Sequence, residues 1–102
     1  MTPEGQVKQQ VDKYLKDHGI YYFKPVQTGY GATTLDYLCC WNGRFVGIEC
    51  KSLSGEVTAR QRLVILQIVE AGGLAYVVRD YSSMTVQQQM EEIANAVTRQ
   101  AA

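Results

Sequence analysis

Two residues, Asn42 and Gly43, separate the runs "LDYLCCW" (35–41) and "RFVGIECK" (44–51), and no other feature restricts the fold as much. Both runs are rich in the branched and aromatic residues that fit a pleated, half-buried surface. Asn-Gly tolerates the backbone of a two-residue hairpin turn, so the runs should pair antiparallel with Trp41 against Arg44. That register brings Asp36 opposite Glu49. Lys51, two residues beyond Glu49, projects from the same face of the sheet.

Opposed side chains in such a pair have β-carbons roughly 4.5–5.5 Å apart, and two ionised carboxylates that close repel each other. Three things would relieve Asp36 and Glu49: a bound cation, neutralisation by Lys51, or exposure to water. Mg²⁺ takes oxygen ligands at about 2.0–2.1 Å, usually one or two carboxylates with waters and phosphate oxygens. Such a donor set suits metal-dependent phosphodiester hydrolysis, with the neighbouring ammonium holding a water or screening phosphate charge. The same spacing also describes a solvated strand face carrying a cross-strand ion cluster.

The rest of the chain reads as alternating elements without repeats or linkers. Thr2 and Pro3 look like the cap and first residue of a helix. Val7, Val11, Tyr14, Leu15 and His18 then recur at helical spacing until Gly19. "IYYFKPVQ" reads as a strand whose Pro25 suggests a sheet edge, and "TGYGATT" as a loop. After the hairpin and the loop "SLSGEV", Thr58 opens a helix carrying Leu63, Leu66, Ile68 and Val69 up to Gly72 and Gly73. "LAYVVRD" reads as a buried strand, and a closing helix starts at about Thr85. The order is αβββαβα. The crossover from 45–51 through a helix to 74–79 should make those strands parallel.

Composition narrows the class of function. The 102 residues suit one domain, with 46% apolar and 20% charged residues. Ten basic residues balance ten acidic ones, which disfavours a tight nonspecific nucleic-acid binder. No apolar run would span a bilayer and no signal peptide is visible, so no membrane partner is expected. Cys39, Cys40 and Cys50 lack metal-ligand spacing and His18 stands alone, which argues against zinc. The odd cysteine count points to free thiols in a reducing, cytoplasmic compartment.

Asp36, followed across the hairpin by Glu49-Cys50-Lys51, resembles the PD-(D/E)XK nuclease superfamily. More narrowly, nearly the whole chain resembles a stand-alone VRR-NUC domain of phage or bacterial type, through "PEGQVKQQVDKYLKDHG", "TGYGATTLDYL", "GRFVGIECKS", "GEVTARQ" and "AGGLAYVV". The resemblance implies a restriction-endonuclease-like αβββαβ core, a mixed four-stranded sheet flanked by helices, with an extra C-terminal helix. It implies a Mg²⁺- or Mn²⁺-dependent DNA endonuclease related to Holliday-junction resolvases. It further implies Asp36 and Glu49 as metal ligands, the Cys50 backbone carbonyl as a third, and Lys51 as the catalytic lysine. The chain departs from the family at Leu35, where Pro usually precedes the aspartate; that Pro shapes backbone rather than chemistry.

Two further residues carry a double reading. Glu4 shares a helical face with Val7, Val11 and Leu15, and the family places a first-helix glutamate near the metal, directly or through water; alternatively it stabilises the helix N-terminus. Gln61 follows Thr58 by three, which makes a capping box, while the family places a glutamine there beside the active site. Arg60, Arg62, Lys24 and Arg44 are candidate phosphate contacts or ordinary surface cations. Tyr21, Tyr22, Tyr30 and Trp41 are candidates for base stacking or a dimer surface, with core packing accounting for most of them. The expectation is a single-domain endonuclease acting on branched or flapped DNA as a homodimer. The alternative is a nuclease-fold DNA-binding or assembly module with weak or no catalysis, which would have no need of Asp36, Glu49 and Lys51 together.

Overall fold

The computed structural model describes residues 1–26 and 33–100. The chain forms α1 (Pro3–Asp17), β1 (Tyr21–Phe23), β2 (Tyr37–Trp41), β3 (Arg44–Lys51), α2 (Ala59–Glu70), β4 (Leu74–Arg79) and α3 (Val86–Gln100). One mixed four-stranded sheet runs β1-β2-β3-β4, antiparallel except for the β3–β4 pair, with helices on both faces. This is the expected α/β architecture, its αβββαβ core followed by a C-terminal helix.

The hairpin takes the expected register, Trp41 facing Arg44 and Tyr37 facing Ile48. Asn42 and Gly43 both have positive φ, 50° and 78°, as a turn of this handedness requires. One face of the sheet carries Tyr37, Cys39, Trp41, Val46, Ile48, Cys50 and Val78 into a core shared with Val7, Val11 and Leu15 of α1 and Met90, Ile93 and Val97 of α3. Cys39 is buried and its neighbour Cys40 exposed, as strand alternation demands.

The opposite face is covered by α2 at close range. A side chain at Gly47 would come within 2.9 Å of both Leu35 and Ile68, so only glycine lets Leu35 and the helix settle there. Fully buried Leu35 therefore fills the position before Asp36 as a packing residue.

Two expectations are corrected. The strand predicted over 20–27 extends only from Tyr21 to Phe23, at the sheet edge, with Lys24 and Pro25 beyond it. His18 caps α1 and is exposed, its ring stacked 3.8 Å from that of Tyr14, rather than continuing the apolar face. The helix α2 forms as expected, with Leu63, Leu66 and Val69 about half exposed. "TGYGATT" and Tyr30 fall largely or wholly outside the described residues.

The far end of the sheet is closed by a side chain. Gln89 of α3 accepts the Arg79 N–H at 3.1 Å and donates to the Arg79 carbonyl at 2.6 Å, satisfying β4 where a fifth strand would pair. The Arg79 guanidinium in turn donates to the carbonyls of Ser52 (2.8 Å), Leu53 (3.3 Å) and Gly55 (2.5 Å), bracing the loop that leads into α2.

Candidate active site

β3 is the central strand that meets α1, α2 and both neighbouring strands, and residues 46–51 are buried throughout. Glu49 is 3% exposed and Lys51 9%. Simple hydration of an exposed strand face is therefore ruled out as the relief for these charges. Lys51 Nζ lies 3.5 Å from Glu49 Oε2.

β2 stops at Tyr37, so Asp36 sits in the bend just before the strand and not on a ladder rung. Its pairing with Glu49 is made by two reciprocal side-chain bonds. The Asp36 N–H donates to Glu49 Oε1 at 3.2 Å, and the Cys50 N–H donates to Asp36 Oδ2 at 2.8 Å. Each carboxylate thus holds the other residue's strand, and the Cys50 peptide lies against Asp36.

Gln61 both caps α2 and contacts Glu49. Its backbone N–H and side-chain oxygen close the capping box with Thr58, at 3.1 and 3.0 Å. The same side chain donates Nε2–H to Glu49 Oε2 at 2.8 Å. The cap consequently aims the amide at the carboxylate.

Glu4 does not reach the carboxylate pair; it contacts Lys8 Nζ at 3.4 Å, and Lys8 Nζ stands 3.6 Å from Asp36 Oδ1. Lys8 escaped sequence reasoning because a glutamate four residues before a lysine is a common surface pair on any helix. Its one available signal was position, on α1 between the buried Val7 and Val11. Burial draws Lys8 down, but the Asp36 and Glu4 carboxylates more than offset this and hold its ammonium above the ordinary value. Tyr37 anchors α1 here, its hydroxyl 2.7 Å from Asp12 Oδ1 and 3.0 Å from the Lys8 carbonyl.

Three of the four cations named as candidate phosphate contacts, Arg60 apart, have structural partners. Lys24 bonds Asp12 at 3.1 Å, Arg44 bonds the Gly72 carbonyl at 3.2 Å and Arg62 bonds the Val57 carbonyl at 2.7 Å. Trp41 is core and Tyr22 packs against it, whereas Tyr21 is 72% exposed.

Asp36 and Glu49 supply oxygen donors of the kind a hard divalent cation takes. Among the described residues no three His, Cys, Asp or Glu side chains converge, leaving two carboxylates. That is the number Mg²⁺ uses when waters and phosphate complete its shell. Asp36 Oδ1 has no closer neighbour among these contacts than Lys8, and Glu49 Oε1 holds one long bond, so oxygen lone pairs remain for a ligand.

Burial and the adjacent Asp36 push the Glu49 carboxyl up to about 7, against the opposing pull of Lys51. From the ordinary carboxyl value up to that point, the folded protein keeps a proton that the unfolded chain has released. Stability should therefore fall as pH rises through this window, with the full penalty, on the order of 3 kcal/mol, present above it. Urea titrations without divalent metal should give a lower midpoint at pH 8 than at pH 5, and Glu49→Gln should flatten that slope. A wild-type midpoint that rises toward pH 8, with the mutant following it, would contradict the assignment.

Comparison with protein-family models finds no match, and no curated protein matches the chain significantly.

Proposed function

We propose that the chain is a Mg²⁺- or Mn²⁺-dependent DNA endonuclease of the VRR-NUC type within the PD-(D/E)XK superfamily. The observation that carries this reading is the joint burial of Glu49 and Lys51 on the central strand, linked to Asp36 and Gln61. A buried ion pair is a poor source of stability, since apolar residues of similar volume serve as well or better. Its presence on the best-covered strand is accounted for by chemistry.

Asp36 and Glu49 would hold the ion, with the Cys50 carbonyl as a further oxygen donor and Glu4 acting at most through water. Bound there, the ion supplies neutralisation of phosphate charge and an acidified water. Gln61 and the Asp36 N–H fix both oxygens of Glu49, so its carboxylate keeps one orientation. Lys51, held by its burial, presents an ammonium to the reacting phosphate or its attacking water.

Equal numbers of acidic and basic residues give one protomer little grip on a branched substrate. A homodimer would double the site and join the basic residues. Its support is the open half of the sheet beside α2, where Tyr21 (72% exposed) and Phe23 (56%) of β1 and Phe45 (48%) of β3 flank β2 and face one side. Phe45 also lines a groove of about 340 Å³ with Val64, Ile68 and Gly73. The three rings alone expose on the order of 300 Å², a large share of the roughly 800 Å² each partner buries in a standard interface. The described residues contain no helix long and apolar enough to cross a membrane. The free thiols Cys39, Cys40 and Cys50 fit a reducing compartment.

One observation favours a second reading, a DNA-binding or assembly module with weak catalysis: Glu4 is turned to Lys8 and not to the carboxylate pair. Incubation with linear, flapped and four-way DNA, with Mg²⁺, Mn²⁺ or a chelator, separates the two. Metal-dependent cleavage favouring branched forms, by a protein that sediments as a dimer, is the expected result. Retained binding with no cleavage under any metal would select the module.

A further inference from the structure

We propose that Lys8 is a resident counter-ion that occupies the Asp36 side of the site in the metal-free protein and withdraws when a divalent cation binds. The proposal rests on the metal-site reading above and goes beyond it by assigning a residue that governs loading.

Three carboxylates, Glu4, Asp36 and Glu49, are joined by contacts to two ammonium groups, Lys8 and Lys51. With Glu49 ionised and both lysines in place the cluster carries one net negative charge, a weak attraction for a dication. With Lys8 withdrawn from Asp36, the remaining Asp36, Glu49 and Lys51 still carry one net negative charge, but no ammonium then competes for Asp36 Oδ1. The two lysines differ in freedom. The Lys51 side chain is only 11% exposed, whereas that of Lys8 is 39% exposed.

Lys8 is also held loosely. Its distances of 3.4 Å to Glu4 and 3.6 Å to Asp36 exceed the roughly 2.7–2.9 Å of a charge-assisted hydrogen bond. It neutralises Asp36 without a directional bond that must be broken. Glu4, one helical turn away on α1, gives the ammonium a second carboxylate to rest on when Asp36 turns to a metal. This gives Glu4 a place in the cluster although it does not touch Asp36 or Glu49. A dication about 2 Å from Asp36 Oδ1 would lie within a few ångströms of Nζ as it stands, where two like charges repel strongly in a partly buried site.

The test is a calorimetric titration of the metal-free protein with Mn²⁺ at fixed ionic strength, with no DNA present. Lys8→Gln should bind Mn²⁺ about five- to tenfold more tightly than wild type, since like-charge repulsion close to the ion is lost. It should also show a larger Mn²⁺-induced rise in melting temperature. Lys8→Arg keeps the charge and should bind no more tightly than wild type. Lys13→Gln removes the same charge from the same helix, at a side chain 77% exposed and paired with Asp17, and should leave affinity within about twofold. Equal or weaker Mn²⁺ binding by Lys8→Gln overturns the proposal, as does an equal gain in Lys13→Gln. Absence of binding in wild type, Lys8→Gln and Asp36→Asn alike overturns the metal site itself, a different result from equal binding in the first two.

Discussion

Asp36→Asn should abolish metal-dependent cleavage, a loss of at least about 10²–10³ in turnover, while leaving the metal-free protein as stable as its parent. The loss follows from removing one of the two carboxylate charges proposed to hold the ion. Stability should hold because the asparagine oxygen still accepts the Cys50 N–H, and Lys8, already partly exposed, moves away from the new amide. Removing the Asp36 charge also takes away one of the two influences that raise Glu49. At pH 8 the metal-free mutant should therefore melt at or slightly above the wild-type temperature. Glu49→Gln is the less clean experiment: an amide there must point its NH₂ at the Asp36 N–H or at Gln61 and Lys51, which are all donors. A marked fall in melting temperature for Asp36→Asn, with cleavage retained, would recast the carboxylates as a structural ion cluster.

Lys51→Ala should lower turnover by about 10²–10³, the usual consequence of losing one charge-stabilising contact in a transition state, with DNA binding little changed. It should also weaken the fold in a pH-dependent manner. Without Lys51 the buried Glu49 loses its neutralising partner and its carboxyl rises further from the ordinary value. The stability deficit should consequently be larger at pH 8, where the mutant must hold or lose a proton at greater cost than its parent, than at pH 5, where Glu49 carries a proton in both. Lys51→Arg separates the two effects. Its guanidinium keeps the charge beside Glu49 and should restore most of the stability, but its wider planar head should restore little of the turnover. Cleavage at near-normal rates by both mutants removes Lys51 from the chemistry, and a stability loss independent of pH removes it from the pairing with Glu49.

Local rules made the hairpin readable. Asn42-Gly43 admits few turns, and a turn of known length determines which residues face one another, so Asp36, Glu49 and Lys51 could be brought together from spacing alone. The capping box at Thr58 was equally local. What escaped depends on contacts remote in the chain. The edge strand pairs only Tyr21–Phe23 with Leu38–Cys40 although β2 runs on to Tyr37 and Trp41, an end point that its own composition does not mark. The apolar residues of α2 predicted a helix correctly but not its buried side, because the close approach at Gly47 is made by Ile68 alone while Leu63, Leu66 and Val69 face outward. Lys8 meets Asp36 only after α1 has docked on the sheet, and Gln61 meets Glu49 only because its cap is made at the right distance from β3. The proposal that the pair holds a metal rests on carboxylate chemistry, which neither periodicity nor packing can read.

The bonds at Arg79 have a consequence for how the protein tolerates cutting and fusion. Gln89 holds the end of β4, and Arg79 holds the loop 52–55 from which α2 and Gln61 depart. The last helix, which places no side chain against Asp36, Glu49 or Lys51 in the contacts described, is thereby a mechanical support for a residue that lies against Glu49. Fusing a tag after α3 leaves that support in place, whereas ending the chain before Gln89 frees Arg79 and slackens the loop. A truncated protein of that kind would keep both carboxylates in its hairpin and lose the alignment of the amide that steadies one of them.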